Sequence, residues 1–118
     1  MSKMNDREFD EAIDMLRSAD SMTYEDAYHW FLGNVDDHLE KLVSLMKAEA
    51  DPGMRGKFIE LLGDSSSKKV IPILEAELKS SNRDVRFWAH SQLEYSEHPE
   101  ANEIAKKYRE EHPDEDWY

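Results

Sequence analysis

The chain has 118 residues, a formal net charge of −12, no cysteine and 39% hydrophobic residues. These values indicate one domain, exclude disulfides and thiolate metal sites, and disfavour nucleic acid as a partner, because phosphate binding depends on Lys and Arg. No apolar run approaches the roughly 20 residues that span a bilayer, and residues 1–6 lack the apolar core of a signal peptide, so we expect a cytoplasmic protein without a membrane partner.

The first two predicted helices are separated by a polar turn over residues 18–21. Apolar residues in 6–18 recur at i, i+3, i+4 and i+7, which predicts one amphipathic helix. The second helix is predicted to begin at Thr23, because Thr23 and Asp26 resemble a capping box. We expect it to end at Gly33 in the left-handed conformation.

The third helix is predicted over residues 36–49. Asp36 and Asp37 stand at its start, where carboxylates cap the helix and offset its dipole. We therefore interpret Asp36, Asp37 and His38 as a helix start and not as a metal site.

The fourth helix has the clearest start signal in the chain. Asp51 is expected to cap it, and Pro52 occupies the first helical position, where a missing N–H costs nothing. Gly56 lies inside the helix and predicts a close approach by another helix. Gly63 is expected to end it.

Three further helices are predicted after the serines at 65–67. The fifth carries Pro72 near its start, which only the first turn of a helix tolerates. The sixth follows Asn82. The seventh covers about residues 100–111, and its charged outer side suits the end of a helical array. Residues 112–118 form an acidic tail that we predict to be disordered, with a docking peptide or a folded-back segment as alternatives.

The apolar pattern repeats at intervals of about 30 residues. Phe9, Ala12, Ile13, Met15 and Leu16 return thirty residues later as Leu39, Leu42, Val43, Leu45 and Met46. Two helices per unit with a closing glycine predict stacked helical hairpins. The whole chain, residues 1–118, is thus one predicted domain with units at about 6–33, 36–63 and 67–95 and a capping helix at 100–111.

Residues 70–95 resemble a HEAT repeat. The features that carry the resemblance are Pro72, Leu74, Leu78, the sequence Asp84-Val85-Arg86, Ala89 and Leu93. The resemblance implies an all-α fold, a short right-handed α-solenoid of about seven helices in antiparallel pairs, with the second helices lining one concave face. It also implies that Asp84 and Arg86 bond between neighbouring repeats.

Aromatic and charged residues on the second, fourth and sixth helices are candidates for one partner-binding strip. Consecutive aromatics, as in 28–31 and 86–90, cannot all face inward at 100° per residue. Aromatic residues near charges are typical of interfaces. The predicted strip consists of Glu25, His29, Trp30, Arg55, Ile59, Arg86 and His90.

No motif for catalysis, cofactor binding or metal binding is found. The chain lacks a cysteine nucleophile, a Gly-x-Ser-x-Gly elbow, a phosphate-binding glycine pattern and a His-Glu-x-x-His pair. We therefore predict no enzyme activity, no cofactor and no metal.

The function predicted from the sequence is a non-catalytic protein–protein interaction module, or adaptor, whose partner has a basic surface. A sharper form is an inhibitor or immunity-type protein that occupies a basic toxin or nuclease. One alternative is a HEAT-like enzyme or accessory subunit that acts on DNA bases or assists chromophore attachment, which the negative charge disfavours. Another is a structural module that self-associates, so a monomer or a weak homo-oligomer is expected. Acidity could also serve solubility alone.

Overall fold

A computed structural model of the protein describes residues 4–115, apart from the side chain of Ser21. Within this range the chain forms seven α-helices and one short 3-10 helix, with no strand. The predicted all-α class with seven helices is confirmed. The helices are α1 (Asp6–Leu16), α2 (Ser21–Phe31), α3 (Leu39–Ala48), α4 (Pro52–Leu62), α5 (Val70–Glu77), α6 (Arg83–Glu94) and α7 (Pro99–Glu111), and the 3-10 helix Asp36–His38 precedes α3.

The helix pairs α1–α2, α3–α4 and α5–α6 pack as hairpins, and α6 also packs on α4 and on α7. The molecule measures 42 × 28 × 23 Å. Its core is one continuous apolar layer, and the largest side chains fully enclosed in it include Phe9, Phe31, Phe58, Leu42 and Leu93. The elongated shape follows from helices that pack mainly on their neighbours along the chain.

The start of α2 differs from the prediction. Asp20, in an extended conformation, is the N-cap, and its carboxylate accepts the Thr23 N–H at 3.0 Å and the Thr23 hydroxyl at 2.7 Å. Thr23 is therefore the third helical residue and not the cap. The end of α2 is as predicted, since Gly33 has φ +81°, a conformation that glycine adopts without a Cβ penalty.

The start of the third helix also differs from the prediction. Asp36 and Asp37 lie in the 3-10 turn, which has no side-chain cap. The Asp36 carboxylate instead accepts the Ser65 hydroxyl and, at 2.8 Å, the Ser66 hydroxyl. The Ser65 bond, followed by the Ser66 bonds, lowers the pKa of Asp36 against the effect of burial. A carboxylate predicted to serve its own helix thus ties that helix to the loop before α5.

The predictions for α4 are confirmed at its start and in its interior. Asp51 accepts the Met54 N–H at 2.8 Å, and Pro52 is the first helical residue. Gly56 is a close-approach position, because a Cβ there would lie 2.7 Å from Cδ1 of Trp88 on α6. Gly63 is the C-cap, and Gln92 of α6 lies against it where a Cβ would be. Two glycines seven residues apart thus mark the side of α4 that receives α6.

The predicted acidic tail is described only as far as Glu115. The His112 ring stacks on Tyr108 with the centroids 4.1 Å apart, and Glu115 pairs with Arg86 at 2.5 Å. Disorder is therefore not observed up to Glu115. The rest of the predicted tail, residues 116–118, lies outside the described residues.

Candidate functional site

Two members of the predicted strip are wrong, because the structure buries them. Ile59 is 0% exposed and His90 is 1% exposed. Ile59 belongs to the apolar core. The His90 ring lies under α7, where Nε2 is 3.1 Å from the Ala105 carbonyl. Neither side chain can contact a partner in this fold.

Arg55 ties helices together and does not present its charge to solvent. Its guanidinium donates to both carboxylate oxygens of Glu77 at 2.7 and 2.9 Å. It also donates to the carbonyls of Lys47 and Glu49 at the end of α3, at 3.2 and 3.1 Å. Glu77 is only 8% exposed. These bonds join α3, α4 and α5.

Arg86 performs the equivalent task 31 residues later. Its Nε donates to Glu115 at 2.5 Å, and its Nη1 donates to the Ser80 carbonyl just beyond α5, at 2.9 Å. The Asp84 part of the expected inter-repeat bonding is not observed, since its exposed carboxylate lies 3.8 Å from the adjacent Arg83. Both arginines of the predicted strip are therefore used inside the fold.

Of the three remaining predicted residues, Glu25 and His29 are exposed and Trp30 is half-buried. Trp30 lies two residues after Tyr28, which places it about 200° away around α2. Since Tyr28 is on the side of α2 that faces α4, Trp30 is on another flank. Glu25 and His29, four residues apart, are therefore neighbours on the exposed surface of α2, while the predicted members of the strip on α4 and α6 are buried or bonded within the fold.

The structure brings together a different set on the same helices, rotated by a fraction of a turn. We call it the aromatic–acidic patch: Tyr24 and Tyr28 from α2 with Lys57 and Glu60 from α4, all of them half-buried. The Tyr24 hydroxyl lies 3.5 Å from Glu60 Oε1. The Lys57 ammonium lies 4.3 Å from the centroid of the Tyr24 ring and donates to the carbonyl of Leu16 at 3.0 Å.

The electrostatics of the patch keep its phenols protonated around its carboxylate. Burial raises the pKa of Tyr28 to about 12, with further contributions from Glu60, Tyr24 and Asp64. Burial also raises the pKa of Glu60, while hydrogen bonds from Tyr28 and Tyr24 act in the opposite direction. The two hydroxyls therefore stabilise an ionised carboxylate that its surroundings otherwise disfavour.

Trp88 bounds the patch on the α6 side. Its ring lies against Gly56, about one helical turn before Glu60, and Phe87 meets it edge to face with the centroids 5.3 Å apart. The Trp88 ring therefore fills the space that a side chain at position 56 would occupy. Aromatic rings present both an apolar surface and a face that attracts cations.

The sequence analysis missed this patch for an identifiable reason. Tyr24, Tyr28 and Phe31 share one side of α2, which is the pattern of a core face, but only Phe31 is fully buried. The predicted strip also contained neither Lys57 nor Glu60. The signal that could have located the patch was the pair Gly56 and Gly63. These glycines fix the side of α4 that meets α6, and hence place Glu60 between α6 and α2.

The most exposed large apolar side chains also belong to these helices. Among the described residues they are Met22 in α2 at 74%, Leu32 directly after α2 at 39%, and Tyr95 directly after α6 at 80%. Clusters of exposed apolar side chains mark interaction surfaces more often than single ones do.

Two other crevices lie outside the patch. A polar one of about 460 Å³ lies at the start of α3, beside Asp36, His38, Lys41 and Lys69. A more apolar one of about 320 Å³ lies between α5 and α7. Within residues 4–115 no group of three or more histidine and acidic side chains is arranged to hold a metal. None of the helices described is both long and apolar enough to cross a bilayer.

Comparison of the chain with protein-family models, with curated proteins and with solved structures gave no match.

Proposed function

We propose that the protein is a non-catalytic interaction module that binds a protein with a basic surface through the face formed by α2, α4 and α6. The observation that supports this most directly is the aromatic–acidic patch, in which tyrosines of α2 meet a lysine and a carboxylate of α4. Leu32 and Tyr95, directly after α2 and α6, add exposed apolar side chains at the ends of those helices. Aromatic anchors within a polar rim are typical of protein interfaces.

The charge of the chain supports the choice of a basic partner. The 27 acidic and 15 basic side chains give a net charge of −12, and the acidity is concentrated towards both ends of the sequence. A negative field of this kind accelerates encounter with a positive surface and disfavours acidic partners. In its sharpest form the proposal is an adaptor or immunity-type inhibitor that occupies a basic toxin or nuclease in the cytoplasm.

We also propose that the helix hairpins form a HEAT-like solenoid. Arg55 and Arg86 support this, since they are 31 residues apart and each bonds a backbone carbonyl near the end of the preceding helix. Each also pairs with a glutamate in or after the next odd-numbered helix. Repetition of the same bonds at the repeat interval is what a stacked array requires.

Capture of a partner from source cells at low salt, followed by reconstitution with that purified partner, tests the proposed function. We expect a basic partner whose affinity falls as salt rises. The double variant Leu32→Ser/Tyr95→Ser should weaken binding, while the control variant Glu103→Ser on the exposed side of α7 should not. Three results would contradict the proposal. They are capture of acidic partners only, an affinity that does not change with salt, and equal losses of affinity in the double variant and the control.

A further inference from the structure

Within residues 4–115, four other glutamates that are partly or fully buried each pair with an arginine, and Glu60 does not. Glu49 pairs with Arg17 at 2.6 Å, Glu77 with Arg55 at 2.7 Å, Glu94 with Arg109 at 3.1 Å, and Glu115 with Arg86 at 2.5 Å. The groups that act on Glu60 are the hydroxyls of Tyr28 and Tyr24, and no cation among the described residues pairs with it. The fold supplies an arginine to each of those four carboxylates and none to this one.

The nearest positive charge on the same helix is directed elsewhere. Lys57 lies three residues before Glu60, but its ammonium bonds the Leu16 carbonyl and covers the Tyr24 ring. The other charged groups that act on the two tyrosines are carboxylates, from Glu25 on Tyr24 and from Asp64 on Tyr28. The surroundings of Glu60 are therefore negative, and the carboxylate has capacity for a donor from outside the chain.

The chemistry of this position fits a guanidinium group. A planar guanidinium donates two parallel hydrogen bonds to a carboxylate and stacks on aromatic rings, whereas an ammonium is a single hydrated point charge. The Tyr24 ring, whose hydroxyl lies 3.5 Å from Glu60, carries the Lys57 ammonium on its face, so an aromatic surface that binds a cation lies next to the carboxylate.

We propose that Glu60, with Tyr24 and Tyr28, is the receptor for one arginine side chain of the protein partner. This inference rests on the proposed function, because it assigns the specificity of that same face. In the complex, the partner's guanidinium takes the place that an internal arginine occupies at Glu77, and the two tyrosine hydroxyls continue to donate to the carboxylate.

The inference can be tested without the partner. N-acetyl-L-arginine amide is titrated into the protein and followed by NMR, with the isosteric neutral N-acetyl-L-citrulline amide as the matched ligand. We expect the arginine compound to shift the Glu60 carboxyl resonance and the Tyr24 and Tyr28 signals, and the citrulline compound to leave them unchanged. The variant Glu60→Gln should weaken the arginine response about tenfold or more, while Glu103→Gln, which removes the same charge from α7, should not.

Equal responses to the two compounds, or an arginine response that survives Glu60→Gln, would overturn the inference. A second arm uses the purified partner and separates this failure from failure of the proposed function. If Leu32→Ser/Tyr95→Ser weakens binding of the partner and Glu60→Gln does not, the face is correct and the arginine receptor is wrong. If both sets of changes weaken it, both proposals are supported. If neither does, the partner binds elsewhere and both are wrong for that complex.

Discussion

Glu60 is placed where its charge is unfavourable for folding and useful for binding. A half-buried carboxylate with a raised pKa binds protons more tightly in the folded chain than in the unfolded chain. The free energy of unfolding therefore falls as the pH rises from 4.5, the ordinary pKa of the group, through its higher pKa in the folded chain, because Glu60 becomes ionised there. A group retained at such a cost is a reasonable candidate for a contact made only in a complex.

The first prediction follows from the raised pKa of Glu60, which makes the ionised carboxylate destabilising. Glu60→Gln, which keeps the shape and still accepts bonds from the tyrosines, should give a higher free energy of unfolding than the natural chain at about pH 7. The difference should shrink as the pH falls towards 4.5, where the carboxyl of the natural chain becomes neutral. Urea unfolding of both proteins across this range measures it. A variant less stable at neutral pH would show that ionised Glu60 contributes to the fold.

Gly56 provides the second prediction at the residue scale. A Cβ at this position would lie 2.7 Å from Trp88 Cδ1, so Gly56→Ala must displace the indole or separate α4 from α6. Overpacking costs about 1–3 kcal/mol, which exceeds the gain of up to about 1 kcal/mol from replacing a helical glycine. We expect net destabilisation in urea unfolding and a changed tryptophan emission. The control Ser44→Ala, on the exposed side of α3, should show neither effect, and a stabilised Gly56→Ala protein would contradict the close packing.

Helix positions followed from the sequence because apolar periodicity and local caps depend on neighbours within a few residues. Asp51 and Pro52 are an example, since the cap needs only the N–H of Met54. Asp36 could not be assigned in this way, because its partners Ser65 and Ser66 are about thirty residues away. The local sequence determines where a helix forms. The distant partner of a polar side chain depends instead on how the helices pack on one another.

The rotation of each helix about its axis was harder to predict than its existence. His90 is polar and was expected outside, yet α7 covers it and the Ala105 carbonyl provides a hydrogen-bond partner. Ile59 was placed on the free face, although it is fully buried in the apolar core. If the rotation of a helix is misjudged by about one residue, a different row of side chains is predicted to be exposed. The predicted strip and the aromatic–acidic patch differ in this way.

Arg55 provides the prediction at the scale of elements. Arg55→Met leaves Glu77 without its cation in a site that is only 8% exposed, and we expect a loss of about 2–4 kcal/mol. The double variant Arg55→Met/Glu77→Leu should recover most of it, because both charges are removed together. Urea unfolding of the single and double variants measures the coupling. If the double variant loses as much as the sum of the two single variants, the ion pair does not join α4 to α5.

At the scale of the molecule, the fold separates two roles. The contacts that join helices to one another include arginine–glutamate pairs, as at Arg17 after α1 with Glu49 after α3, and at Arg55 in α4 with Glu77 in α5. The most exposed apolar side chains and the aromatic–acidic patch lie on or directly after the even-numbered helices. The molecule as a whole is negatively charged, since the chain carries 27 acidic side chains against 15 basic ones.

This charge leads to the prediction at the molecular scale. Like-charged molecules repel, so we expect sedimentation equilibrium to show a monomer at low salt, with any weak self-association appearing only as salt screens the repulsion. Association with a basic partner should have the opposite salt dependence. A dimer that is tightest at low salt would favour the self-associating module instead.

Amide hydrogen exchange of the protein with and without its purified partner tests the central claim most directly, because it maps the contact without any substitution. The account predicts added protection in α2, α4 and α6, centred on the segments that carry Tyr24, Tyr28 and Glu60, with α3, α5 and α7 unchanged. Protection confined to α5 and α7, around the crevice between them, would place the partner on another surface and contradict the account.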